Sequence, residues 1–406
     1  MFEILLFLIL GCILGIITGM IPGIHPNTVV LSIPIILSAF PYISIYPMIT
    51  LIISMSVTNS ITDFIPSILL GAPDPSTSLS VLPGHQLLMQ GEAYKAIKLT
   101  VLVGLISVIV VTITSPLFVA TLPLIYATIK QYIGFILIAI LGFIIIFSKK
   151  YVKTLFIISL AGILGTISLQ LTFFQNNSAL FPLLTGLFAF PMLVIQIKHQ
   201  THIPEQIIDT SEKLLNKENI LSATVGSLAG MFSGLLPGVG ASQAAIISSP
   251  TAGLRKNKDS FLVRIGAITT SNIVLSFLAL WLISKPRSGA AVAVQQLVSG
   301  IINFGLTEFL FILPIILISA AVASLSTLFL AKLLIKNIGK INYVKLSLTV
   351  LILINVLIIV LTGPIGFILS WLACIIGIIT IKLNVLRTSL MAALIIPTAL
   401  FYLGML

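Results

Sequence analysis

The chain of 406 residues is 58% apolar and only 8% charged, with a net charge of +11. Soluble domains hold about 25% charged residues, so this composition excludes a soluble globular protein and places the chain in a lipid bilayer. Cys12 and Cys374 both lie in apolar runs and suggest neither a disulfide framework nor a metal site; His25 and His85 stand alone, and no metal ligand set is expected.

Phe2–Met20 is apolar with Glu3 as its one early charge. It lacks the basic start and small-residue cleavage site of a signal peptide and reads as a retained first helix. A Pro22-Gly23 break separates it from Asn27–Ala39. Predicted helices follow at Pro47–Leu70, Ile97–Leu122, Gln131–Ser148, Val152–Leu169 and Ala179–Ile197, and then the hydrophilic stretch His199–Asn219. Beyond it, Ile220–Leu236 and Ala241–Pro250 flank a second break, Pro237-Gly238. Phe261–Ser284, Phe304–Leu330, Ile341–Leu361, Gly366–Ile381 and Leu386–Leu406 complete the series. Ala241–Pro250 would cover roughly 15 Å as a helix, about half of a bilayer core. Both Pro-Gly elements therefore read as re-entrant or broken helices.

The plan repeats in order. Gly15-Ile-Ile-Thr18-Gly19-Met-Ile-Pro22-Gly23-Ile24 is echoed by Gly230-Met-Phe-Ser233-Gly234-Leu-Leu-Pro237-Gly238-Val239, Thr58-Asn59 by Ser271-Asn272, and Ala72-Pro73-Asp74 by Lys285-Pro286-Arg287. Ordered matches at a nearly constant offset predict two related halves, residues 1–198 and 220–406, joined by a linker at 199–219.

Charge then bears on orientation. A loop rich in Lys or Arg in one half meets a nearly neutral one in the other: Thr251–Arg264 against Pro41–Tyr46, Lys149, Lys150 and Lys153 against Thr362–Gly366, Lys382 and Arg387 against Gln170–Ser178. Cytoplasmic loops are enriched in these residues, so the halves are expected upside down relative to each other. The predicted fold is thus an all-α polytopic membrane protein of two inverted-topology repeats. Each holds a broken or re-entrant helix hairpin and about five transmembrane helices. Basic loops and the linker fall in the cytoplasm and the N-terminus outside, which puts 18 of the 21 Lys and Arg residues inside.

The candidate solute site lies between the two breaks, because opposed helix N-termini with free backbone N–H groups favour an anion. Its residues are Gly19, Pro22, Gly23, Asn27, Thr28 and Asn59 in the first half, and Gly234, Pro237, Gly238, Gly240, Ser242, Gln243 and Asn272 in the second. Lys285 and Arg287 join them as cations on the side where few are expected. The bland alternatives are packing glycines, an interhelical hydrogen bond for each asparagine, and snorkelling cations. Asp63 is the acid well inside an apolar span, and intramembrane acids are functional candidates. With Asn59 and Thr62 it forms a candidate site for a coupled sodium ion or proton. No cofactor is expected.

These elements resemble the large membrane subunit, TctA, of the tripartite tricarboxylate transporters. The resemblance is carried by Gly15–Pro34, by Gly71-Ala-Pro-Asp-Pro-Ser-Thr-Ser78 with Pro83-Gly84-His85-Gln86-Leu87 and Gln90-Gly91-Glu92-Ala93, and by Pro237-Gly238-Val239-Gly240-Ala241-Ser242-Gln243-Ala244-Ala245. The chain departs from that family in lacking its acidic, asparagine-rich stretch before the second I-P-G element, where Gly266–Val274 stands and keeps only Asn272, and in reading Lys285-Pro286-Arg287 at that element. The resemblance implies a small membrane subunit and an extracytoplasmic solute-binding protein as partners. The expected activity is secondary transport of a carboxylate or other small organic anion, coupled to sodium or protons. No nucleic acid is expected to bind, and a homo-oligomer is left open. The competing readings are a passive channel or scaffold, and an intramembrane or lipid-handling enzyme using Asp63 or Asp74 with His85.

Overall fold

The computed structural model describes residues 2–21, 44–69, 81–148, 150–170, 179–198, 204–208, 216–236, 239–248, 258–298, 306–337 and 342–406. The first half contains α1 (Phe2–Met20), α2 (Ile45–Thr62), α3 (Phe64–Leu69), α4 (Val81–Leu88), α5 (Ala93–Ile129), α6 (Ile133–Ser148), α7 (Tyr151–Gln170), α8 (Leu180–Leu184) and α9 (Phe190–Lys198). The second contains α10 (Lys217–Ser233), α11 (Ala241–Ser248), α12 (Lys258–Ile283), α13 (Gly289–Val298), α14 (Leu306–Asn337), α15 (Tyr343–Lys382) and α16 (Ala392–Tyr402). Among the described residues, eight helical stretches are long and apolar enough to cross a membrane. The chain is an all-helical, multi-pass membrane protein.

Glycine spacing brings the first helices of each half together. Gly11, Gly15 and Gly19 lie on one face of α1, and a Cβ at each would meet the backbone carbonyl of Leu51, Met55 or Asn59 on α2. In the second half Gly226, Gly230 and Gly234 of α10 meet the carbonyls of Arg264, Ile268 and Asn272 on α12 in the same register. Small residues every four positions let two backbones approach where lipid offers no hydrophobic drive for association. The repeated pattern thus extends one glycine further back than the Pro-Gly match indicated.

The halves then exchange contacts. Tyr46 stacks edge-on against Phe311 at 5.2 Å, and Thr62 hydrogen-bonds Thr327 at 3.2 Å, so α2 runs parallel to α14. Lys95 pairs with Asp259 at 3.2 Å, and Gly104 abuts Thr270, so α5 runs parallel to α12. Yet α5 and α14, which the repeat expected from the sequence would make counterparts, run antiparallel. Lys332, late in α14, lies 5.5 Å from the ring of Tyr94 at the start of α5. Where these four helices meet, an apolar gap is lined by Val57, Ile61, Val108, Thr270, Ile273, Val274 and Ile316. Likewise α16 packs on α6 and α7 of the first half, while α8 and α9 pack on α15 of the second.

Several boundaries differ from the sequence expectation. The helix expected to stop at Leu122 continues through Pro123 to Ile129 and reaches α6 by a single 3₁₀ turn, Lys130–Tyr132. Pro123 is exposed, so its ring and lost N–H bond disturb no packed neighbour. The loop expected at Thr362–Gly366 is instead a kink inside α15, at Gly363 with φ 70° and ψ −170°. The last span opens with a 3₁₀ turn, Arg387–Met391, before α16, and a π turn at Thr185–Ala189 separates α8 from α9. In the linker, Gln206 donates to the Leu88 carbonyl and accepts from the Ala93 N–H, and Ile207 donates to the Gly91 carbonyl. That segment is thereby tied to the turn before α5, on the end that carries Lys95, Lys258 and Lys332.

Candidate solute-binding and coupling site

Pro22, Gly23, Asn27, Thr28, Pro237 and Gly238 lie outside the described residues, as does the Ser242 side chain. The positions flanking them are defined. Asn59, buried on α2, donates from Nδ2 to Thr18 Oγ1 at 2.9 Å, and the Thr18 hydroxyl in turn donates a hydrogen bond to the Leu14 carbonyl. Asn272 repeats this arrangement, donating to Ser233 Oγ at 2.8 Å, with Ser233 bonded to the Gly230 carbonyl. Each asparagine therefore clamps the glycine-packed helix pair just before its Pro-Gly break. Gly19 and Gly234 sit inside the same contacts, a Cβ at Gly19 falling 2.8 Å from the Asn59 carbonyl.

The three residues suggested for ion coupling turn to different neighbours. Asn59 faces α1; Thr62 reaches Thr327 of α14. Asp63, 4% exposed, sits at the junction of α2 and α3, where the backbone stays helical, and accepts from Ser67 Oγ at 3.3 Å. On the second break, Gln243 is fully buried and its Oε1 accepts from the Gly240 N–H at 2.9 Å, capping α11 from within its first turn. Among the described residues its Nε2 has no hydrogen-bond partner. Lys285 is exposed. Arg287 lies over the Tyr126 ring, 5.3 Å from its centroid, with Nε and Nη2 unpartnered and buried. Tyr126 is near the far end of α5 from Tyr94, about 48 Å away along the helix. Arg287 thus stands at the opposite end of the molecule from the basic cluster.

Counting charges by loop missed two cations that the fold draws inward. Arg264 is 1% exposed on α12; its Nη1 donates to the Ser248 carbonyl at 3.1 Å, and Nε and Nη2 lack partners. A guanidinium at the last carbonyls of α11 suits the negative end of that helix. Arg387, the first residue of the last 3₁₀ turn, directs Nη2 at the Met192 sulfur of α9 and leaves Nη1 unpartnered. Burial pushes the His85 imidazole below its ordinary value, an Ile68 backbone bond partly opposes this, and the charge of Arg387 lowers it further.

A helical bundle with eight stretches long and apolar enough to cross a membrane, carrying buried polar and cationic side chains, is compatible with a membrane transport protein. The chain belongs to the tripartite tricarboxylate transporter TctA family, matching it over residues 5–392. It is 35% identical over 410 residues to the uncharacterized protein MJ1079 of Methanocaldococcus jannaschii, a match covering 98% of this chain and 99% of that one. No solved structure matches it significantly. The family is one of transporter components, not enzymes, which sets aside the intramembrane-enzyme reading of Asp63, Asp74 and His85. A tripartite system also implies association with further subunits and a solute-binding protein.

Proposed function

We propose that this protein is the permease of a secondary active transporter for a carboxylate or other small organic anion, driven by a sodium or proton gradient. Residues 1–198 and 220–406 act as two inverted halves around the linker 199–219, and alternating access comes from one set of helices moving against the other. The observation that carries this reading is the antiparallel course of α5 and α14, corresponding helices in the two halves. Parallel repeats would align such helices, whereas an axis in the membrane plane opposes them. The charges agree: Lys95, Lys258 and Lys332 gather at one end with the linker, and basic ends face the cytoplasm. In this reading the start of α1 faces outside.

The solute binds between the Pro-Gly elements, near Gly240 and Gln243, and Asp63 carries the coupling. A small membrane subunit and an extracytoplasmic binding protein deliver the solute. Counterflow in proteoliposomes tests the reading: labelled citrate, succinate or glutamate should accumulate transiently when the unlabelled anion is inside. No exchange with any small organic anion, with or without the binding protein, would reject it.

A further inference from the structure

We propose that Arg387 supplies the positive charge that holds the solute carboxylate; the proposal rests on the anion-permease reading above and names the residue within it. A guanidinium in the interior of a membrane protein is costly unless it is paired. Among the described residues, its Nη2 reaches only a thioether, a weak acceptor, and its buried Nη1 has no hydrogen-bond partner. The other two inward arginines also carry unpartnered nitrogens among the described residues, but they stand elsewhere. Arg264 ties itself to the end of α11, donating through Nη1 to the Ser248 carbonyl. Arg287 rests on an aromatic face at the far end of the bundle, where it suits encounter better than binding.

The surroundings of Arg387 are polar in an unusual way. Thr388 and Ser389, its neighbours in the 3₁₀ turn, are both fully buried, and neither hydroxyl has a partner. In a 3₁₀ turn, residues three apart lie on one face, so Thr388 shares the face of Met391. The Met391 methyl lies 3.6 Å from where a Cβ on Gly240 would stand, so this face looks towards the N-terminus of α11, where Gln243 Nε2 is also unpartnered. On the Arg387 side, Met192 comes from α9 and the charge is felt at His85 of α4, whose Nδ1 is unpartnered and buried. The turn thus belongs to the second half, and the elements facing Arg387 belong to the first. A carboxylate there would take the guanidinium fork, with hydroxyl and amide donors on the adjoining face for a further oxygen. Because both halves contribute, movement between them would make and break the site, as alternating access requires.

The test uses the full chain in proteoliposomes and in detergent, with citrate, succinate and glutamate as probes. Wild-type counterflow by any of these, with or without the binding protein, supports the permease reading first; no exchange of any small organic anion under either condition rejects that reading and this inference with it. Given exchange, Arg387→Met should raise KM on the order of tenfold or more, the worth of a charged hydrogen bond. The variant without solute should be at least as thermally stable as wild type, since a half-buried charge with no charged partner among the described residues has gone. Arg387→Lys should recover part of the affinity, and the near-isosteric Thr388→Val should raise KM severalfold with its thermal midpoint kept. Exchange with unchanged KM in Arg387→Met would overturn the assignment while leaving the permease reading intact. A variant that unfolds without solute would also overturn it, since the guanidinium would then be a structural tie.

Discussion

Replacing Gly15 with alanine is the smallest change that should separate two helices of this protein. The added Cβ would lie 2.6 Å from the Met55 carbonyl oxygen and 2.6 Å from the Thr58 Cβ, where ordinary contact begins at 3.4 Å. Because the first of these obstacles is backbone, relief requires α1 and α2 to move apart by about 0.8 Å locally, the difference between those distances. Overpacking of this kind costs about 1–3 kcal/mol. The same movement stretches the Asn59–Thr18 bond, which in a membrane averages about 0.6 kcal/mol and reaches about 1.7. Against this, alanine gains up to about 1 kcal/mol of helix propensity. The net expectation is a loss of about 1–3 kcal/mol, read as a shifted midpoint when the purified protein is unfolded by titrating SDS into mild detergent micelles. Gly142→Ala is the matched control, since nothing stands within 4 Å of its Cβ; it should be neutral or slightly stabilising. Equal midpoints for Gly15→Ala and Gly142→Ala would refute the close-packed glycine seam.

Gly363→Ala separates strain from crowding. No atom lies within 4 Å of its Cβ, but φ is 70°, so a loss of about 1–3 kcal/mol should come from backbone conformation alone; an unchanged thermal midpoint would show that α15 does not need this kink. His85 gives a pH dependence. Its folded value lies below 6.5, so in the window just under 6.5 the unfolded chain takes up a proton that the folded chain does not, and stability falls as pH falls. His85→Gln should flatten the thermal midpoint between pH 7 and 5, and identical slopes would remove His85 from the account. Asp63→Asn should abolish the dependence of solute uptake on the sodium or proton gradient; preserved dependence in the variant excludes Asp63 as the coupling residue.

The all-helical, multi-pass architecture is legible in the sequence because membrane spans are written as long apolar runs. Thr18, Ser233, Asn59 and Asn272 stood out in the repeat, and the fold joins them as two like-for-like hydrogen bonds. What was missed has physical reasons. Gly11 and Gly226 lie a full turn before the matched pattern, in stretches whose other side chains differ, and only the helix crossing shows their shared use. Pro123 signals a stop, yet an exposed proline late in a helix disturbs little, and the helix runs on. Arg264 and Arg387 were assigned to the cytoplasm by their position near basic loops. Charge counting is blind to short elements that draw a residue inward: α11 ends against Arg264, and the last span begins with a buried turn at Arg387. Residues 387–389 could have been noticed as Arg-Thr-Ser opening an apolar segment, but only the unpartnered atoms mark them as unusual.

The transport reading depends on the two halves facing opposite sides of the membrane, and sided labelling tests that most directly. Lys130 and Lys345 follow corresponding stretches of the two halves and are both exposed, while the native Cys12 and Cys374 are buried, so single cysteines at 130 and 345 would be read against a quiet background. With a membrane-impermeant maleimide on intact cells, Lys130→Cys should label from outside and Lys345→Cys only after the cytoplasmic face is opened. Labelling of both from the same side would mean parallel halves and would contradict the account.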